Sequence, residues 1–231
     1  MNGMTTKEKQ EIITLEQYLE LKEKGFEFEG QSYLFWEYVR VLKEVKPKYF
    51  LLENVKMSSK WQKVITNTLG VEPILINSSL VSAQNRPRLY WTNIPNVEQP
   101  KDKNIKLDDI IEKKHKVIKL VPFVEKKLEL IKGKFGYIPN KFNPYNCSEI
   151  TDKSPCLTAQ GESQTKSSSV IMYDENLQCY TMLSVTDWEN LQTLPNHYTY
   201  DENIPDNIRK NLIGNCWTVD VIAHIFSYLK E

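Results

Sequence analysis

The hydrophobic positions of the chain follow two periodicities, one typical of helices and one typical of strands. Apolar residues recur at helical spacing over 34–45 and again over 61–69, and these runs are ended by Pro47 and Gly70. Between them, residues 49–55 form a continuous apolar run, which predicts a strand buried on both faces. The pattern therefore indicates an α/β domain organised around residues 49–55.

Two further strands are predicted downstream, at residues 72–77 and 88–94. An alternation of helices and strands is typical of a mainly parallel sheet. The link between the last two strands is too short for a crossover helix, so we expect that pair to be antiparallel. The predicted fold class is α/β.

The pattern changes after Pro95. Residues 96–170 mix lysines, isolated apolar residues and clusters of proline, asparagine and serine, which predicts an irregular inserted lobe. Regular structure returns towards the end of the chain. A capping box at residues 186–189 predicts a short helix, and two further helices are predicted, one from Pro205 and one over 217–229.

The composition is ordinary for a soluble globular protein of 231 residues, with 40% hydrophobic and 26% charged residues. No run approaches the roughly 18 apolar residues of a membrane span, and the start of the chain is polar, so we expect a cytoplasmic protein without a membrane partner. The four cysteines lack C-x-x-C spacing. This favours reduced thiols and suggests no metal site.

The formal net charge is zero, which argues against a histone-like electrostatic binder. The charge is nevertheless unevenly distributed along the chain. The segment from Asn96 to Val170 contains 14 lysines, no arginines and 10 acidic residues, a local balance of +4. Such a segment could bind a polyanion, and it could equally be a solvated surface. Charge alone does not choose between these two interpretations.

Glu53 is the first candidate functional residue. It lies at the carboxyl end of the predicted strand 49–55, where open α/β sheets bind ligands. Burying an unpaired carboxylate there costs several kcal/mol, so its presence requires a role. Arg86 and Arg88 lie at alternate positions before the next strand, so their guanidinium groups should share one side of the backbone. Two such cations favour a bound carboxylate or phosphate between them, although a surface ion pair is the simpler alternative.

A second candidate is the glycine–amide pair Gly214 and Asn215, predicted as a turn that opens the last helix. Backbone N–H groups at a helix N-terminus can bind a ligand, but most such turns are structural. On its own this feature is weak evidence for function.

Together, four motifs resemble the C5-cytosine DNA methyltransferases. In chain order they are Glu53-Asn54-Val55, Gln84-x-Arg86-x-Arg88, Leu191-Gln192-Thr193-Leu194-Pro195 and Gly214-Asn215. The amino-acid sequence of residues 81–93 resembles bacterial and phage members of the family especially. The resemblance covers residues 31–95 and about 151–231.

The resemblance implies a partial S-adenosylmethionine-dependent (Rossmann-like) methyltransferase sheet with an inserted target-recognition lobe. Residues 1–95 would be the C-terminal part of the catalytic α/β domain and 96–180 the lobe. Residues 181–231 would be helices that return to the catalytic domain. Double-stranded DNA and S-adenosyl-L-methionine are the implied ligands.

The resemblance also implies roles for individual residues. Glu53 would hold the N3/N4 edge of a cytosine flipped out of the duplex, Arg88 would contact its O2, and Arg86 would help to position the site. In the family, a cysteine attacks C6 and C5 then takes the methyl group. The matching positions beside the cofactor are Asn215 and Cys216, with packing as the expected role of the thiol. The positions that match DNA-contacting residues of the family are Gln84, Leu157 and Thr158.

The chain departs from the family pattern in one major respect. It has neither a Pro-Cys nucleophile motif before residue 50 nor the glycine-rich cofactor turn, so the cofactor site is expected to be incomplete. Pro155-Cys156 follows the arginines and resembles a target-recognition segment, so Cys156 is not expected to be the nucleophile. Smaller departures are Pro87 between the arginines and Asn190 in place of an expected arginine.

Three functional hypotheses follow from these departures. The chain is the C-terminal part or subunit of a cytosine methyltransferase, active only with a complementing N-terminal polypeptide; or it is a catalytically dead truncated remnant; or it is a stand-alone DNA-binding module. A strand 49–55 without its preceding neighbour would expose an apolar edge, which predicts a partner polypeptide, self-association or poor stability.

Overall fold

A computed structural model describes residues 11–28, 30–113, 115–159 and 163–230. The chain divides into two compact units. Unit 1 comprises the described residues up to Leu75 together with Arg88–Asn96, and unit 2 comprises Ile76–Pro87 and the described residues from Val97 onwards. Residues 1–10 and 29 of the predicted catalytic part, residues 114 and 160–162 of the predicted lobe, and residue 231 lie outside the described residues.

The first part of the chain contains three helices and three strands close to their predicted positions. In chain order they are α1 (Leu15–Glu23), α2 (Leu34–Val45), β1 (Leu51–Val55), α3 (Ser59–Leu69), β2 (Ile74–Asn77) and β3 (Pro87–Thr92). Gly70 ends α3 in the left-handed conformation, as its position predicted. The core of unit 1 is aromatic-rich, with Tyr18, Trp36 and Trp91 almost wholly buried.

Strand β1 differs from the expectation in two ways. It pairs antiparallel with β3, Leu51 opposite Thr92 and Val55 opposite Arg88, whereas the sheet as a whole was expected to be mainly parallel. The strand order is β1–β3–β2, which places β1 at an edge of the described sheet. Its residues are only partly covered, and Val55 is 40% exposed. The prediction that this strand is buried on both faces was therefore wrong. An apolar run shows that a strand can be buried but not which neighbours cover it.

Unit 2 contains most of the remaining elements. They are α4 (Leu107–Ile110), β4 (Val117–Ile118), α5 (Pro122–Phe135), β5 (Lys141–Asn143), β6 (Ser148–Glu149), β7 (Ile171–Asp174), β8 (Cys179–Met182), α6 (Val185–Leu191), α7 (Asp206–Asn215) and α8 (Val219–Phe226). Strands β4 to β8 form one five-stranded sheet in the order β4–β8–β7–β5–β6, and its pairings are antiparallel.

The predicted irregular lobe is therefore more ordered than its sequence suggested. Its strands are two to four residues long, which is too short for a period of two to be recognised. Helix α5 buries only Val124 and Ile131 among exposed lysines, so its apolar stripe is narrow. Pro122 at its first turn and Gly136 after its end were usable signals for this helix.

Of the last helices, α7 begins after Pro205 as predicted, whereas α6 and α8 have different bounds than predicted. The N-cap of α6 is Ser184 rather than Thr186, because the Ser184 hydroxyl accepts from the Asp187 N–H and the Asp187 carboxylate accepts from the Ser184 N–H. Helix α8 spans eight residues rather than the predicted thirteen of 217–229. Among the described residues, no helix combines the length and the apolar character needed to cross a bilayer.

Candidate active site

Glu53 and Arg88 form an ion pair in unit 1. Glu53 lies on β1 and Arg88 on β3, opposite Val55 and thus diagonal to Glu53 across the antiparallel pair. The Arg88 Nε atom is 2.8 Å from Glu53 Oε1, and the side chains are 13% and 19% exposed. The structure therefore brings together two of the three predicted catalytic residues.

The carboxylate of Glu53 keeps hydrogen-bonding capacity in this arrangement. Its Oε1 atom is buried and, among the described residues, accepts no hydrogen bond. The Arg88 Nε is near enough for charge attraction, but its N–H does not meet hydrogen-bond geometry at this oxygen. The oxygen is thus paired by charge with Arg88 without a well-aligned hydrogen bond. A ligand that offers an N–H group could add one.

Arg86 lies in unit 2 and is held differently. Its NH1 group donates to the carbonyl of Leu157 (2.9 Å), and its NH2 group donates to the carbonyls of Gly214 (3.3 Å) and Cys216 (3.0 Å). Two of these carbonyls close the C-terminal end of α7, where the helix dipole is negative and favours a cation. The side chain is buried, and its hydrogen-bond acceptors among the described residues are neutral groups. The anion expected between the two arginines is not what holds Arg86.

Gln84 is fully buried in the same unit. Its amide nitrogen donates to the carbonyl of Leu191 (3.0 Å) and to Oε1 of Gln192 (3.1 Å), and its amide oxygen accepts from the N–H of Leu157 (2.9 Å). These bonds assign the Gln84 side chain to holding backbone segments together. A direct DNA contact by Gln84 stays a prediction.

The segment with the other two predicted DNA-binding residues runs beside Gln84. The N–H of Asn85 donates to Ser154 O (2.9 Å) and the N–H of Ser154 donates to Ala83 O (2.7 Å), which forms a short parallel bridge. Leu157 is 1% exposed and packs in the core of unit 2. Thr158 is half-buried, and its hydroxyl lies 3.3 Å from that of Ser168. Thr158 is thus the more accessible of the two.

Cys156 lies between Arg86 and the backbone of Leu157. Its sulfur accepts from NH1 of Arg86 at 3.4 Å and lies 3.3 Å from the Leu157 carbonyl. These contacts give the thiol a structural setting. That Cys156 is not the nucleophile stays a prediction.

Gly214 and Asn215 do not open a helix, contrary to the prediction. They are the last two residues of α7, and the N–H of Cys216 donates back to Leu212 O (3.1 Å) and Ile213 O (3.2 Å). The backbone N–H of Cys216 is therefore satisfied within the helix end. The motif resembled a turn because glycine and asparagine are both common after helices, and sequence does not distinguish the last turn from the cap.

The glycine is required by a close backbone approach. A Cβ atom at Gly214 would lie 2.2 Å from the carbonyl oxygen of Thr158. Asn215 is exposed, so its amide is available to a ligand, and Cys216 is half-buried. Burial raises the pKa of the Cys216 thiol, and the Arg86 guanidinium offsets part of this rise. The thiol is therefore protonated near neutral pH, as a packing role requires.

Two supporting residues were not found from the sequence. The Gln192 amide nitrogen donates to the carbonyls of Ile213 (2.9 Å) and Cys216 (3.1 Å). The Lys153 ammonium donates to three backbone carbonyls: Ser79 O (2.7 Å), Ser82 O (3.0 Å) and Ile105 O (2.6 Å). The place of Gln192 within a recognised motif was a usable signal, whereas Lys153 looks like any other lysine of a basic segment.

Comparison with known proteins places this geometry in a family. A family model described as C-5 cytosine-specific DNA methylase matches residues 21–231. The curated protein Type II methyltransferase M.FnuDI of Fusobacterium nucleatum is 25% identical over 243 residues, which covers 86% of this chain and 69% of that protein.

Solved structures agree at the level of the fold. A mutant of Spodoptera frugiperda DNMT2 has a TM-score of 0.61 at 17% identity, covering 85% of this chain and 71% of that one. The S. pombe Dnmt2 methyltransferase has a TM-score of 0.55 at 19% identity, with the same two coverages. At these identities the likeness concerns the fold alone, and it confirms the predicted class, a partial α/β methyltransferase fold.

Proposed function

Because the chain belongs to the C-5 cytosine-specific DNA methylase family, we propose that it is the C-terminal part of a DNA (cytosine-5-)-methyltransferase. It binds DNA and the flipped cytosine, and it is active only with a complementing polypeptide that supplies the nucleophile and most of the cofactor site. By itself the chain is inactive.

The observation that carries this proposal is the open carboxylate oxygen beside an arginine. Glu53 Oε1 is buried without a hydrogen bond, and Arg88 lies against it. The N4 amino group of cytosine, and N3 when protonated, are donors that would satisfy a carboxylate. The O2 atom is an acceptor for the arginine. Holding both edges stabilises the polarised ring, and such preorganised charges act most strongly where water is excluded.

Access to these groups requires the base to leave the duplex stack, at a cost of a few kcal/mol. DNA binding by residues 96–180 is the proposed source of the compensating energy, since the segment 96–170 within it carries 14 lysines against 10 acidic residues. Thr158, which is half-buried, is the proposed DNA contact. Leu157 and Gln84, being buried, support its segment.

Asn215 and Cys216 fit one side of a cofactor site. The exposed amide of Asn215 can both donate to and accept from the polar groups of S-adenosyl-L-methionine, and the half-buried Cys216 can pack against it. When bound, that cofactor supplies the methyl group. The remaining polar groups of the cofactor are left to the complementing polypeptide.

The edge of β1 supports the need for a second polypeptide. Its side chains are partly exposed, and a groove of about 240 Å³ continues the apolar surface beside it. Tyr38, Val41, Val45 and Phe50 line this groove, and the buried Tyr38 hydroxyl has no hydrogen-bond partner among the described residues. Native proteins rarely leave such an edge uncovered. We assign it to the complementing N-terminal part, which adds a strand to β1.

One reconstitution experiment tests the proposal. The full chain is mixed with a polypeptide that carries the Pro-Cys and glycine-rich motifs, and methyl transfer to duplex DNA is measured with labelled cofactor. We expect activity only in the mixture and its loss in the Glu53→Gln variant, which keeps the shape of the side chain but removes its charge.

The other outcomes distinguish the competing hypotheses. A stable complex without methyl transfer would contradict the proposal and indicate a dead remnant. Duplex binding by the chain alone, with a salt dependence that weakens when lysines of residues 96–170 are replaced and with no activity in any mixture, would indicate a DNA-binding module.

A further inference from the structure

Two segments of unit 2 that are far apart in sequence lie in direct backbone contact. We call residues 154–158 the recognition segment and residues 213–216 the α7 end. The carbonyl oxygen of Thr158 lies where a Cβ of Gly214 would have to be, 2.2 Å from that position. Arg86 joins the same two segments, since it donates to Leu157 O on one side and to Cys216 O on the other.

Gln192 stands at the centre of a second connection between these segments. Its amide nitrogen donates to two carbonyls of the α7 end, Ile213 O and Cys216 O, at 2.9 and 3.1 Å. Its amide oxygen accepts from Gln84 Nε2 (3.1 Å) and from the Thr218 hydroxyl (2.8 Å). Two donated and two accepted bonds use the full capacity of a primary amide.

Gln84 completes the connection on the other side, because its amide oxygen accepts from the N–H of Leu157. A continuous path of side-chain hydrogen bonds thus runs from the recognition segment through both glutamines to the α7 end. All of its side chains are buried. A fully satisfied buried network is rigid, since a shift at one end leaves polar groups unpaired at the other.

We propose that Gln192 is a positioning residue that couples DNA binding at the recognition segment to cofactor binding at the α7 end. This inference rests on the proposed function, which assigns DNA to Thr158 and the cofactor to Asn215 and Cys216. DNA that orders the recognition segment also orders the α7 end, so each ligand raises the affinity for the other. Linkage requires the two increases to be equal.

Binding measurements on the reconstituted complex test this inference. A duplex is first selected by the complex from a random-sequence pool, and the affinity for sinefungin, a non-reactive analogue of the cofactor, is measured with and without that duplex. We expect the duplex to raise the affinity about tenfold, within the usual range of such couplings. In Gln192→Met, an apolar side chain of similar size, the increase should fall below about twofold.

Asn190→Leu is the matched control. Asn190 lies in α6, two residues before Gln192, which caps the end of that helix. Its amide donates to Ile110 O (2.9 Å), which belongs to neither segment. This variant should keep the tenfold increase. If Gln192→Met fails to fold, Thr218→Val provides the test, since it removes one bond to Gln192 and leaves both glutamines in place. It should reduce the coupling to a smaller extent.

The results separate this inference from the proposed function. A wild-type complex that binds both ligands independently, or a Gln192→Met complex that keeps the tenfold increase, would overturn the coupling while leaving the methyltransferase assignment intact. A complex that selects no duplex and transfers no methyl group would overturn both.

Discussion

Arg86 and Arg88 are two residues apart in one motif, yet their surroundings differ in kind. Arg88 lies against a carboxylate that still has an open, buried oxygen. Arg86 is bound by the carbonyls of two backbone segments at the end of a helix. The first environment suits a substrate, because a charged pair there still has an oxygen that can accept a hydrogen bond. The second suits a scaffold, because its bonds are made within the protein.

The same contrast separates the half-buried Glu53 from the fully buried Glu189. Glu53 has an oxygen without a hydrogen bond, whereas Glu189 accepts from the N–H groups of His197 and Thr199 and from the Thr199 hydroxyl. It also faces the Arg209 guanidinium at 3.3 Å. The satisfied carboxylate of Glu189 fits a role in stabilising the fold, and the Glu53 oxygen without a hydrogen bond fits a role in binding a ligand.

The largest effect is expected at Arg88. Arg88→Met should lower methyl transfer by the reconstituted enzyme about 10²–10³-fold, because the positive charge beside the base is lost. Activity is compared per folded molecule, with folding followed by circular dichroism. Arg88→Lys retains the charge and should recover part of the rate. Equal losses in the two variants would indicate that shape, rather than charge, matters at this position.

Arg86→Met should act on stability instead. It leaves the carbonyls of Leu157, Gly214 and Cys216 without their donor, which should cost about 3 kcal/mol in the free energy of unfolding. Urea titration measures this loss. The control is Arg40→Met, since Arg40 is 36% exposed and makes surface ion pairs worth less than about 1 kcal/mol. Similar costs for both variants would contradict the scaffold role.

Gly214→Ala should cost about 2 kcal/mol, because the added methyl group meets the Thr158 carbonyl and forces the two segments apart. Gly133 provides the matched control. It is also helical, and a Cβ there would meet nothing within 4 Å, so Gly133→Ala should stabilise by about 0.5–1 kcal/mol. Thermal unfolding of both variants measures the difference, and opposite signs are the expected result.

The smallest effect concerns pH. Burial raises the pKa of Glu189, but the Thr199 hydroxyl and the backbone N–H groups of Thr199 and His197 outweigh it, and the net pKa lies below its ordinary value of 4.5. A depressed folded pKa means that this stabilisation is present above pH 4.5 and is lost as pH falls through the folded value. Glu189→Gln should therefore flatten the decrease of stability below pH 4.5, measured by urea midpoints. An unchanged slope would exclude this carboxylate as its source.

Much of the fold could be predicted from periodicity. Helices α2 and α3 were found because each has a long apolar pattern that a proline or glycine ends, and strand β1 because its continuous apolar run follows Pro47. The lobe could not be found in this way, since its strands are two to four residues long and depend on their neighbours for stability. The shift of the α6 N-cap from Thr186 to Ser184 has a local origin, because two hydroxyl residues separated by only one position compete for one cap.

The sequence by itself determined the family, the α/β class and the identity of the residues that could carry chemistry, because these depend on residue type and order. Only the tertiary structure decided which of those side chains have their hydrogen bonds satisfied within the protein. From the sequence, Gln84 was predicted to contact DNA and Arg86 to help position the catalytic site. In the structure both side chains are buried and hydrogen-bonded to distant backbone groups. Hydrogen-bond satisfaction depends on partners more than 70 positions away, such as Leu157 for both residues, and local sequence does not encode such contacts.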